Sequence, residues 1–245
     1  MSSPGLDPWS SFPVDQVPRP LVLTLRSPVL DGYTSGEAKM AGEVGNYEMT
    51  GPFPDAPPTV TAQLPDGPVE FRTLPAEGAL AAMRETGTPS PEPTTPIRIQ
   101  RAELGTAPFR TDRGELVLPA WRFHSTDTLS PMAWPALPEE AFFAHDKPYP
   151  VHAGPARLGA DGTLTVTLPA PSPPCPGEEP TRTEPLATET DTAVEVTVRF
   201  HPPASGGFCE QVAMLRMAEY RFRLAKPLGN RVLVDEKGSP IAVTG

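Results

Sequence analysis

Residues 194–200 read VEVTVRF, and apolar and polar side chains alternate strictly along them. This period of two is that of a β-strand with one buried face, which here carries three valines and a phenylalanine. Similar short runs recur through the second half of the chain, separated by turn sequences such as Ala160-Asp161-Gly162. They are residues 97–102, 116–123, 164–168, 220–224, 232–234 and 241–243. Seven or so short strands with frequent turns predict a mainly β fold, either a sandwich or an open barrel.

The first 88 residues mix strand and helix signals. Residues 69–74 alternate like a strand, and a helix is predicted from Ala76 up to the closing Gly87. Residues 1–18 have no periodicity, and residues 89–96 contain only proline, serine, threonine and glutamate. We therefore predict four segments. They are a flexible N-terminal arm (1–18), a small α+β segment (19–88), a Pro-rich linker (89–96) and a proline-rich β-sandwich-like domain (97–245).

The composition restricts the partners. Proline and glycine account for 36 and 20 of the 245 residues, about twice their average share. That share excludes a long-helix protein or a coiled coil, and no apolar run is long enough to span a membrane. The formal net charge is −10, which disfavours nucleic acid and anionic membrane surfaces. We expect a protein or a cell-wall ligand of unknown identity as the partner.

Cys175 and Cys209 are the only cysteines, and both lie in stretches rich in proline or glycine. In an exported chain they would form one disulfide, and closing a loop of about 35 residues would add about 3–4 kcal/mol of stability. In a reducing cytosol they would remain two unpaired thiols. No signal peptide is visible after Met1. The location is therefore open between the cytoplasm and export directed by a segment upstream.

The histidines offer the few candidates for chemistry. His145, Asp146 and His152 could ligate a metal or supply a general base, but they lie in a loop broken by prolines and share no face of a regular element. Cys209 and His201 could form a thiolate–imidazole pair, yet no third residue is identifiable that would orient them. No nucleotide-binding, zinc-protease or serine-nucleophile motif occurs. We expect surface histidines, no metal site, no catalytic residue and no cofactor.

Aromatic residues cluster in the middle of the chain. Trp121 and Phe123 share one face of a predicted strand and are expected in the core. Trp134 and Tyr149 lie in predicted loops between prolines, where exposed aromatic rings could contact a sugar or peptide ligand. The alternative, which we favour, is that they form a small hydrophobic cluster that keeps long loops ordered.

Four stretches together resemble a group of uncharacterised, proline-rich proteins of Streptomyces-type actinobacteria that are secreted or lipoprotein-like. These stretches are residues 101–114, 118–123, 189–198 and 227–235. The resemblance covers most of residues 20–243 and implies a location in the cell envelope. It also supports pairing of Cys175 with Cys209, but it transfers no catalytic residue.

These observations predict a non-enzymatic binding or structural module that is extracellular or located at the cell surface. Two alternatives remain at this point. One is a hydrolase of envelope polymers that uses the loop with His145, Asp146 and His152. The other is a cytosolic structural or assembly component.

Overall fold

A computed structural model describes residues 4–143, 153–203 and 214–244 of the chain. The fold is mainly β, as the alternating runs predict. The chain divides into two compact units. The sandwich unit comprises Met1–Thr24, Thr111–Gly114 and Phe143–Gly245, and the sheet–helix unit comprises Leu25–Arg110 and Glu115–Phe142.

The sheet–helix unit has a four-stranded sheet, a separate hairpin and two α-helices. Its elements are α1 (Gly36–Glu43), β1 (Tyr47–Met49), β2 (Thr59–Leu64), β3 (Gly67–Arg72), α2 (Ala76–Glu85), β4 (Ile97–Thr111), β5 (Gly114–Ser125) and β6 (Met132–Pro135). The strand order is β1-β4-β5-β6, and β2 pairs with β3. A 3-10 helix follows at Glu139–Ala141.

The core of this unit forms where α2 packs its apolar face. Leu80 and Met83 of α2 are fully buried in one cluster with Ile97, Trp121 and Phe123. Trp121 and Phe123 therefore point into the core, as their position on one face of the predicted strand indicates. The indole Nε1 of Trp121 donates to the Leu74 carbonyl at 2.6 Å, so the buried ring also satisfies its polar group.

The sandwich unit has two sheets that share one core. Its strands are β7 (Ala156–Leu158), β8 (Thr163–Pro169), β9 (Arg182–Glu189), β10 (Ala193–His201), β11 (Met217–Arg223), β12 (Val232–Asp235) and β13 (Val243–Thr244). One sheet has the order β12-β10-β9 and the other β11-β8-β7-β13. Side chains of β10, such as Val194 and Val196, pack with Val166 of β8 and Phe222 of β11.

The structure divides the chain differently from the predicted segments. Residues 89–96 are not a boundary, because they lie inside the Leu25–Arg110 part of the sheet–helix unit. The amide Nδ2 of Asn46 holds this stretch by donating to both the carbonyl and the hydroxyl of Thr94, at 2.8 and 2.9 Å. Directly after it, β4 runs parallel to β1 with Ile97 opposite Tyr47. The proline-rich sequence here forms a connection from α2 to β4.

The N-terminal segment also differs from a flexible arm from Pro4 onward. Leu6, Trp9 and Phe12 are buried in a cluster with Val232 of β12. Trp9 belongs to a short 3-10 helix, Asp7–Trp9, and its Nε1 donates to the Gly238 carbonyl at 2.9 Å. Aromatic packing and one buried hydrogen bond thus order this segment, although its sequence shows no periodic pattern of apolar residues.

The predicted closing hairpin of residues 232–234 and 241–243 is present only as a tight turn. Val234 bridges Pro240, but the two arms join different sheets. β12 pairs in parallel with β10, and β13 pairs in parallel with β7. The end of the chain thereby contributes to both layers of the sandwich unit.

Candidate binding cavity

Several predicted site residues fall where the structure gives no description. His145, Asp146, Tyr149, His152 and Cys209 lie outside the described residues. The proposed metal or general-base loop and the Cys175–Cys209 pairing therefore remain predictions. Cys175 itself lies in the connection between β8 and β9.

Trp134 is not an exposed loop aromatic. It lies in β6 opposite Trp121 of β5, and only 7% of its surface is exposed. Strand pairing places its ring in the core of the sheet–helix unit. The prolines on either side of this segment suggest a loop, but a short strand at the edge of a sheet tolerates proline.

The two described histidines each bind a glutamate on the neighbouring strand. His124 Nε2 donates to Glu103 Oε1 at 2.9 Å, and its Nδ1 accepts from Arg101 at 3.1 Å. The hydrogen bond from His124, followed by that from Arg101, lowers the pKa of Glu103. These are cross-strand polar pairs at the surface of the sheet–helix unit.

In the sandwich unit, His201 Nε2 donates to Glu184 Oε2 at 2.9 Å. This bond is the main cause of a lowered pKa for Glu184. The described partner of His201 is thus a carboxylate, whereas Cys209 lies outside the described residues. Among the residues that the structure describes, no group of three or more His, Cys, Asp or Glu side chains could hold a metal ion.

A cavity of about 150 Å³ lies at one end of the sandwich unit. Its walls are mainly apolar and its mouth is polar. The lining residues are Ala153, Leu168, Pro169, Val196, Thr197, Val198, Phe200, Asp235, Glu236 and Lys237.

The cavity exists because two paired strands differ in length. β12 pairs with β10 only from Ala193 to Val196, while β10 continues to His201. Val194 and Val196 are fully buried, Val198 is half-buried and Phe200 is 41% exposed. The apolar face of β10 therefore runs out of the core past the end of β12 and forms one wall.

The mouth is built by the turn that follows β12. The carboxylate of Asp235 accepts from the backbone N–H groups of Lys237 and Ser239, both at 2.9 Å. Gly238 takes the positive φ of 82° that this turn needs. Asp235 is thus occupied by its own turn, whereas the exposed Glu236 accepts one hydrogen bond from the Thr197 hydroxyl at 3.1 Å. Glu236 is therefore the exposed carboxylate among the residues that line the cavity.

Among the described residues, the same difference in length leaves an edge of β10 without a neighbouring strand. The Thr192 carbonyl accepts from Val232 on the β12 side, and the Ala193 carbonyl accepts from Thr190 on the β9 side. Backbone groups alternate along a strand, so those of Val198 and Phe200 also point to the β12 side. In the described ranges, no strand pairs with β10 on that side beyond Val196.

Comparison with family models, with curated proteins and with solved structures finds no match to this chain. No helix among the described residues has the length and apolar character needed to cross a membrane.

Proposed function

We propose that this protein is a non-enzymatic binding module whose sandwich-unit cavity takes one apolar group of a partner. The observation that carries the proposal is the apolar wall of Leu168, Val198 and Phe200 beneath a polar mouth. Binding sites combine an apolar lining with a few polar groups that fix orientation. This arrangement has both.

The size of the cavity indicates what enters it. Pockets for whole small-molecule ligands measure roughly 300–1,000 Å³. A cavity of about 150 Å³ is near the volume that accommodates a benzene molecule. The group that fits is a single aromatic or branched aliphatic side chain, carried by a larger partner. We therefore favour a macromolecular partner over a free metabolite.

We place this binding function at the cell surface or outside the cell. Two sequence observations support that location. The chain resembles secreted and lipoprotein-like actinobacterial proteins, and its two cysteines lie in stretches where a disulfide could form. A protein or a cell-wall ligand is the expected partner.

Methyl-labelled protein titrated with toluene tests the cavity directly. We expect toluene to shift the NMR signals of Leu168 and Val198, since both line the cavity. Val198→Phe should fill the space and abolish the Leu168 shift. Leu158→Phe adds the same bulk at an exposed position of β7 and should leave binding unchanged. Equal shifts in both variants, or no shift in the wild type, would overturn the proposal.

A further inference from the structure

We infer that the partner is an extended polypeptide segment that adds to the open edge of β10, with an apolar side chain in the cavity and a basic side chain beside Glu236. This inference rests on the proposed function of the cavity and specifies its ligand. It combines the edge of β10 that no described strand pairs beyond Val196, the cavity beside that edge and the exposed carboxylate of Glu236.

The edge argues for a polypeptide. Val198 and Phe200 both direct their backbone N–H and C=O groups toward the β12 side, as the alternation from Thr192 onward shows. These donors and acceptors repeat every second residue, the spacing of a β ladder. A second peptide backbone matches that spacing, and strand addition to an exposed edge is a recurring way to bind peptides.

The position of the cavity fixes the side-chain pattern of the segment. A segment in line with β12 would alternate its side chains between the two faces of the sheet. One set would face the inner side with Val198, Phe200 and the cavity. The other would face the outer side, where Thr197 binds Glu236 at 3.1 Å. A segment with an apolar residue next to a basic residue would therefore place the apolar side chain in the cavity and the basic side chain beside Glu236.

Charge and exposure agree with this assignment. Glu236 is exposed at the mouth, and the chain as a whole carries a formal charge of −10. A basic partner is therefore attracted at long range and oriented at the site. Phe200 is 41% exposed and Met217, across from Pro169 in the ladder, is 39% exposed. This apolar surface beside the cavity is the kind that a partner covers.

N-methylated peptides test the backbone pairing. The probe is a short synthetic peptide in which arginine alternates with phenylalanine and valine, titrated into the ¹⁵N-labelled full chain. N-methylation of the alternate peptide residues whose backbone N–H groups point toward β10 should weaken binding at least about tenfold, because each methyl group removes a ladder hydrogen bond. N-methylation of the other alternate set should change affinity by less than about twofold. Equal loss in both sets would overturn strand addition.

Glu236→Gln tests the basic side chain. Glutamine can still accept from Thr197, so the mouth keeps its shape while its charge is lost. We expect weaker binding of the arginine peptide and a smaller dependence on salt. A peptide with serine in place of arginine should bind both proteins equally. The matched control is Glu219→Gln, an exposed charge on β11, and an equal effect there would remove Glu236 from the site.

The toluene titration distinguishes a failure of the cavity proposal from a failure of strand addition. If toluene binds but both N-methylated peptides behave alike, the cavity function stands and strand addition is wrong. If toluene does not bind, the cavity proposal itself fails. A second copy of this chain is the competing occupant of the edge. Dimerisation that the peptide does not reverse and that Val198→Pro abolishes would identify that occupant and overturn the peptide assignment.

Discussion

Arg19 and Asp112 form a buried ion pair inside the sandwich unit, although they lie 93 residues apart in the chain. Both guanidinium Nη atoms contact the carboxylate, with Nη1 3.3 Å from Oδ1. Arg19 Nε donates to the Asn230 carbonyl at 2.9 Å, and the guanidinium lies 4.6 Å from the centre of the Phe12 ring. The charge is thus matched, hydrogen-bonded and covered by an aromatic face, the conditions under which a buried pair is tolerated.

Asp112→Asn is expected to destabilise the protein by about 3–5 kcal/mol, because it leaves the Arg19 guanidinium buried without its counter-charge. Replacing both residues with apolar ones, as in Arg19→Met with Asp112→Leu, should recover much of that loss. Urea unfolding followed by circular dichroism measures both variants.

The exposed pair between Arg157 and Glu219 is the matched comparison for this prediction. Both side chains are more than half exposed, and surface pairs contribute about 0–1 kcal/mol. Glu219→Gln should therefore leave the unfolding midpoint nearly unchanged. A loss of less than about 1 kcal/mol for Asp112→Asn would show that the buried pair is dispensable.

The N-terminal segment is expected to contribute to stability. Trp9→Phe keeps most of the ring but removes the donor to the Gly238 carbonyl. A buried carbonyl left without its partner costs about 1–3 kcal/mol. Trp9→Ala should cost about 3–5 kcal/mol, since it also empties a buried site. The exposed neighbour Ser10 is the control, and Ser10→Ala should be close to neutral. Unchanged urea midpoints for both Trp9 variants would support a flexible arm.

Local patterns in the sequence predict some of the elements but miss others, such as β6 and β9. The alternation at residues 194–200 predicts β10, and the spacing of Leu80 and Met83 predicts α2, because both depend on which side chains meet the core. The strand with which a given strand pairs cannot be predicted from these local patterns. β12 pairs in parallel with β10, and nothing within either run specifies that pairing. Trp134 shows the same limit, since its burial depends on β5.

The cavity could not be predicted from the sequence for the same reason. It depends on the point where β12 ends beside β10, that is, on how far Asp235 reaches along the longer strand. The sequence does contain a partial signal. A three-residue apolar run followed by the turn sequence Asp235-Glu236-Lys237-Gly238 cannot cover a nine-residue strand. That signal becomes informative only once the two strands are known to be neighbours.

Acid is expected to weaken the cross-strand pair on the sheet–helix unit. Hydrogen bonds from His124 and Arg101 lower the pKa of Glu103 below its ordinary 4.5. A carboxyl group with a lowered pKa in the folded state contributes stability above its unfolded pKa and loses it as the pH falls through the folded pKa. The loss for Glu103 should therefore occur below pH 4.5 and be absent near neutrality.

His124→Gln checks the cause of this shift. Carboxyl NMR titration should show the pKa of Glu103 rising toward 4.5 in the variant. Glu184, which is held by His201, is the internal reference and should keep its lowered pKa. If the Glu103 titration does not move, Arg101 alone is sufficient to hold the carboxylate in its charged form.

The two cysteines provide the test of location. If Cys175 and Cys209 are bonded, thiol titration of the unreduced, denatured protein should detect no free thiol. Reduction, or the variant Cys175→Ser, should then destabilise the protein by about 3–4 kcal/mol, because the unfolded chain loses the closed loop of about 35 residues. Since the loss comes from one bond, Cys209→Ser and the double variant should each match Cys175→Ser and not exceed it. Two reactive thiols in protein purified without reductant from an oxidising compartment would contradict the pairing. That result would also remove one of the two supports for a location outside the cell, and it would favour a cytosolic assembly component instead.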